Sequence, residues 1–161
     1  MTQVLSNQAI SPPAVRAWTR LLRAHAATTR LLSAELQREH GLTLNDYEAL
    51  LVLSRADGGR LKRVDLARRL LLTPSGVTRL LEGLERVGLV KRATCDTDLR
   101  VTYAELTDAG RAKVEAASCA HNGSIRSLLE EHLREDEIDT VAEILGKLPG
   151  VADGDDSCTP G

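Results

Sequence analysis

A stripe at alternating intervals of three and four residues opens the chain: Val15, Trp18, Leu22, His25, Thr29, Leu32 and Leu36, flanked by Ala14, Ala17, Leu21, Ala24 and Leu31. This spacing predicts a helix with a broad apolar face, started by Pro12-Pro13, running to about Glu39 and ended by Gly41. Thr43-Leu44-Asn45-Asp46 reads as a capping box for a second helix with Leu44, Tyr47, Leu50 and Leu51 on its buried side, stopped at Asp57-Gly58-Gly59. A third, short helix is predicted after Lys62, with Val64, Ala67, Leu70 and Leu71 inward and Lys62, Arg63, Arg68 and Arg69 in water or against phosphate.

Thr73-Pro74 marks the start of a fourth helix, an N-cap residue followed by proline at the position where a missing amide costs nothing. Val77, Leu80, Leu81, Leu84 and Val87 are expected to face inward, Ser75, Thr78, Arg79, Glu82 and Arg86 outward, and Gly88 to supply a left-handed termination. Residues 89–94 and 99–106 carry β-forming side chains around Cys95-Asp96-Thr97-Asp98 and read as a two-stranded hairpin. Thr107 caps a fifth helix to about Leu133, weakened at Asn122-Gly123, and a sixth from about Glu135 to Leu148 presents Ile138, Val141, Leu145 and Leu148. Residues 1–11 and 150–161 read as flexible termini. The fold class expected is mainly α with a small β-hairpin wing, in the order of a winged helix-turn-helix.

Composition narrows the function. With no Phe, one Trp and two Tyr, the core is aliphatic, and a single-strand nucleic-acid reader has almost no rings on which to stack bases. The net charge of −2 hides a segregation: residues 55–100 hold 11 Lys plus Arg against 6 Asp plus Glu, a net of +5, and the remainder carries −7. A basic segment within an acidic chain is the footprint of a localised polyanion site. No stretch approaches 18 uncharged apolar residues and no export signal stands at the N-terminus, so a cytoplasmic protein with no membrane partner is expected. Cys95, Cys119 and Cys158 fit a reducing compartment rather than a disulfide framework. His25, His40, His121 and His132 lack close ligand patterns, and no phosphate loop, nucleophile elbow or Cys-His site appears. Neither a metal, a cofactor nor a catalytic residue is therefore expected, and the chain does not read as an enzyme.

The polar cluster suits binding. A helix N-terminus carrying Thr73, Pro74, Ser75, Gly76, Thr78 and Arg79 can direct amides and hydroxyls at a phosphate of double-stranded DNA and set Thr78 or Arg79 against base edges in the major groove. Lys62 and Arg63 are candidate phosphate contacts. Arg100 at the hairpin can enter a narrow A·T-rich minor groove, with Asp98 on the same side of the strand to direct the guanidinium.

At these residues the chain resembles the MarR family of bacterial transcriptional regulators. The likeness is carried by Asp65-Leu66-Ala67, Leu72-Thr73-Pro74-Ser75-Gly76-Val77-Thr78-Arg79-Leu80, Leu84-Glu85, Gly88-Leu89-Val90, Asp98-Leu99-Arg100 and Leu106-Thr107-Asp108-Ala109-Gly110. The resemblance implies a homodimer, with residues 12–41 and 107–149 as a helical dimerisation region and 42–106 as the winged helix-turn-helix domain gripping a palindromic operator. It also implies repression relieved by a small phenolic or other lipophilic effector, for which Trp18 and His25 are the candidate residues. Val64, Gly83 and Leu99 depart from the family's pattern, and Gly83 costs about 1 kcal/mol of helix propensity. Two alternatives stand beside this reading: a redox-responsive regulator through Cys95, whose basic surroundings favour the thiolate, and a helical dimer that binds an acidic protein partner.

Overall fold

The computed structural model describes residues 12–94 and 101–149. They belong to two compact units, Met1–Ala117 and Ser118–Gly161. The first begins with α1 (Pro13–His40), which ends at Gly41, and continues into α2 (Leu44–Ser54). The capping box forms in full: Thr43 Oγ1 accepts the Asp46 amide at 3.2 Å, and the Thr43 amide donates to Asp46 Oδ2 at 2.9 Å. A 3₁₀ turn at Asp57–Gly59 leads into β1 (Arg60–Lys62), α3 (Arg63–Arg69), α4 (Pro74–Arg86), β2 (Val90–Thr94), β3 (Thr102–Leu106) and α5 (Asp108–Glu130).

Leu50 and Leu53 of α2, Leu66 of α3, and Val77 and Leu81 of α4 are the largest fully buried side chains. Removing each such side chain from water contributes about 1.5–3 kcal/mol, so the three short helices are held by one aliphatic core. Val90, Ala104 and Leu106 of the sheet, and Val114 and Ala117 of α5, join it.

Where a two-stranded hairpin is expected, the sheet has three strands in the order β1-β3-β2, all antiparallel. Arg60, Leu61 and Lys62 pair with Glu105, Ala104 and Tyr103, so β1 occupies the edge that a hairpin would leave open.

Three residues expected inside are outside: Val64 is 65%, Leu71 91% and Val87 66% exposed. In α3 the inward stripe is Arg63, Leu66, Ala67 and Leu70, one residue out of phase with the expected one. Leu71 and Val87 lie past the ends of their helices. Both helices close with the same backbone pattern, Leu72 N–H to Ala67 O and Leu89 N–H to Leu84 O, each 3.0 Å. This closure needs a left-handed residue just before the donor. Gly88 takes that position with φ 75°, but in α3 it falls to Leu71, with φ 53° and its side chain in solvent.

The second unit holds the remainder of α5, which is continuous through Asn122-Gly123, and α6 (Glu135–Gly146). The Arg134 amide donates to Glu137 Oε2 at 3.0 Å, closing the first turn of α6. Ile125, Leu129, Leu133 and Ile138 line a groove between the two helices; of the expected apolar face Val141 and Leu148 are exposed, as is Ile144, which is not part of that face. Among the described residues no helix is long and apolar enough to cross a membrane, and no group of three or more His, Cys, Asp or Glu is placed to hold a metal ion.

Candidate nucleic-acid interface

The N-terminus of α4 is built by its own first residues. Thr73 is extended (φ −69°, ψ 155°), and its Oγ1 accepts the Gly76 amide at 3.1 Å, while Pro74 fills the next position. A Cβ on Gly76 would come within 3.1 Å of that same Oγ1, so the glycine leaves room for the cap. Ser75 Oγ lies 3.2 Å from Thr73 Oγ1, and the Thr78 hydroxyl donates back to the Pro74 carbonyl at 2.9 Å. In the Thr73–Ser75 contact one hydroxyl donates and the other keeps its hydrogen for an outside acceptor, whereas Thr78 has spent its hydrogen on Pro74 and offers only lone pairs. That free hydrogen and the positive end of the helix dipole make a surface that suits an oxyanion, with Thr78 left as an acceptor.

Arg79 stands one turn further along the same exposed face and has no ionic partner among the described residues. Lys62 is exposed and serves twice, as the last residue of β1 and the N-cap residue of α3. Arg63 is half-buried at the start of α3, whereas Arg68 is tied to Asp65 at 3.2 Å. Asp98, Arg100 and Cys95 lie outside the described residues, which bring β2 and β3 together as far as Thr94 opposite Thr102.

The outward face of the sheet adds charges that the sequence reading left unassigned. Lys91 Nζ pairs with Glu105 Oε1 at 2.9 Å, and the Arg60 guanidinium sits 5.3 Å from the centre of the Tyr103 ring, within cation–π range. The signal for Arg60 is the period-two placement opposite β3, visible once β1 is recognised as a strand.

Trp18 is 60% exposed on α1, in line with the exposed Val15 and Leu22. His25 borders a shallow groove along α1 with Thr29 and Ser33, and Trp18 does not line it. Across from α1, the Glu48 carboxyl is raised above its ordinary value by desolvation, an effect that the nearby His25 opposes. Cys119 is an exposed free thiol.

Comparison with known proteins places these features in context. The sequence profile of the MarR family matches residues 40–100. The chain is 33% identical over 108 residues to the transcriptional repressor YetL of Bacillus subtilis, a match covering 67% of this chain and 64% of that protein. It is also 33% identical over 122 residues to the repressor MdtR of the same organism, covering 76% and 77% of the two chains. Among solved structures, Sco3205 from Streptomyces coelicolor, a MarR family regulator in complex with DNA, superposes with a TM-score of 0.74 at 26% identity, covering 80% of this chain and 81% of that one.

Proposed function

The chain belongs to the MarR family of transcriptional regulators, and on that premise we propose that it binds double-stranded DNA sequence-specifically, as a homodimer on a palindromic operator, and acts as a ligand-responsive repressor. The observation that carries this reading is the N-terminus of α4, where the Thr73 cap presents Ser75, Thr78 and an ionically unpaired Arg79 on one exposed face. Thr73, Pro74, Ser75 and Gly76 position the helix end on a phosphate, Thr78 and Arg79 read base edges, and Lys62 and Arg63 hold neighbouring phosphates. Arg100, directed by Asp98, is assigned to the minor groove. Residues 42–106 are the DNA-binding domain in this reading.

Residues 12–41 and 107–149 are assigned to dimerisation, because both ends of the chain leave large apolar side chains in solvent: Val15, Trp18 and Leu22 on one face of α1, and Val141 and Ile144 of α6 with Leu148 just beyond it. Repression follows the two Bacillus subtilis relatives, which are repressors by name. Selecting duplexes from a random pool on the full chain tests the proposal. It predicts an enriched palindrome with half-sites centred about 10 bp apart. An unenriched pool, or binding that salt weakens equally for every sequence, sinks it in favour of a basic surface for an acidic partner.

A further inference from the structure

The hydrogen of the Thr78 hydroxyl is committed to the Pro74 carbonyl, 2.9 Å away and one turn back along α4. Donating polarises the oxygen and leaves it two lone pairs and no further hydrogen, so toward an outside group Thr78 is an acceptor only. The same bond fixes the rotamer, and the lone pairs keep one direction. The next residue has the opposite polarity. Arg79 is exposed, has no ionic partner among the described residues, and can only donate.

Base edges in the major groove differ in the sign that such a pair can meet. Adenine N6 and cytosine N4 are amines and donate; guanine O6 and thymine O4 are carbonyls and accept. An amine opposite Thr78 adds a hydrogen bond while the bond to Pro74 stays in place. A carbonyl there faces lone pairs, and the hydroxyl can serve it only by leaving Pro74, which exchanges one bond for another and gains little.

We infer that Thr78 is a specificity-determining residue that selects, at one position of each half-site, a base with its amine on the strand facing α4. Adenine and cytosine satisfy it, and guanine and thymine do not. Arg79 takes the reverse pattern, the N7 and O6 acceptors of guanine, at a separate position. The inference rests on the reading of α4 as the helix that enters the major groove, and it assigns that helix an acceptor followed by a donor. Glu82, exposed one turn beyond Thr78, is the other acceptor on this face. Its carboxylate is repelled by the phosphates that Thr78, being neutral, tolerates.

The test is competition binding of the full chain to the operator selected from a random pool, with each half-site position changed in turn to all four base pairs. One position is expected at which adenine or cytosine binds about tenfold tighter than guanine or thymine. Thr78→Val keeps the shape, removes the oxygen, and should bring that preference below about twofold while the other positions keep theirs. Thr78→Ser keeps the acceptor and the preference. On the DNA side, 2-aminopurine for adenine, or pyrimidin-2-one for cytosine, removes the amine from the major groove. That change should cost the parent protein about tenfold and Thr78→Val less than about twofold.

A position levelled by Thr78→Val at which guanine or thymine was preferred makes the hydroxyl a donor and overturns the inference. So does a Thr78→Val protein that binds every operator more weakly with the preference intact, or a preference that Glu82→Ala removes and Thr78→Val does not. Each of these outcomes leaves sequence-specific DNA binding standing. A random pool that yields no enriched sequence overturns the inference and that reading together.

Discussion

The hydroxyl of Thr107 donates to the backbone carbonyl of Gly88 across 2.7 Å, joining the start of α5 to the residue at which α4 terminates. The same oxygen accepts the Gly110 amide at 3.0 Å, and the Thr107 amide donates to the Leu89 carbonyl at 3.1 Å. One side chain thus caps one helix and anchors the end of another. Thr107→Val removes both roles and is expected to cost about 2 kcal/mol, the sum of a lost cap and an unsatisfied carbonyl. A urea midpoint that falls with an unchanged slope reads this, and Thr107→Ser should restore most of it. Gly110→Ala should be worse, because its Cβ would overlap the Leu89 carbonyl and backbone must move. A Gly110→Ala protein as stable as the parent would contradict this packing.

Leu71 offers the opposite sign. It is held at φ 53° with almost its whole side chain in water, so it carries left-handed strain and contributes little packing. Leu71→Gly is expected to stabilise the chain by about 0.5–1 kcal/mol, seen as a higher thermal midpoint. A lower midpoint would mean that the exposed side chain is covered in the native assembly.

Arg79 and Lys62 should separate base reading from phosphate contact. Arg79→Ala is expected to cost about 1–3 kcal/mol on the selected operator and to relax preference at one base pair per half-site. Lys62→Ala should weaken all sequences alike and reduce the salt slope by about one phosphate. If Arg79→Ala weakens every duplex equally, its role is the phosphate contact assigned here to Lys62.

Light scattering at micromolar concentration should report twice the 17.4 kDa chain mass. Leu22→Glu, which places a charge in the exposed stripe of α1, is expected to halve the observed mass while leaving far-UV circular dichroism largely unchanged. A parent protein already at the chain mass would remove the dimer from the proposed function.

Glu48 predicts a pH dependence with a defined sign. Desolvation raises its native value, so its contribution favours the fold below the unfolded carboxylate value of about 4.3 and is lost as pH rises through the raised native value. Glu48→Gln should flatten stability across that window. His25→Ala, by removing the opposing positive charge, should steepen it. Parallel urea midpoints for all three proteins from pH about 4 to 7 would show that the pair does not couple to folding.

The helix boundaries were legible because their chemistry closes within a few residues. Thr43 meets Asp46 three positions on, Thr73 meets the Gly76 amide at the same interval, and Gly88 supplies a left-handed turn by itself. The same locality made the α4 surface readable, since Ser75, Thr78 and Arg79 share a face by helical period alone. Strand β1 was not legible: the alternation of Arg60, Leu61 and Lys62 is too short to mark a strand, and these residues become one by pairing with residues 103–105, more than forty positions away. In the seven-residue α3, stripes beginning at Arg63 and at Val64 both fit the sequence, and packing of Leu66 into the core of α2 and α4 chose the first. The bond from Thr107 to Gly88 belongs to the same class, because it depends on where separate helices come to rest. Caps and amphipathic faces are settled by interactions between near neighbours, whereas pairing partners, burial register and cavities follow from contacts between distant segments that no local pattern encodes.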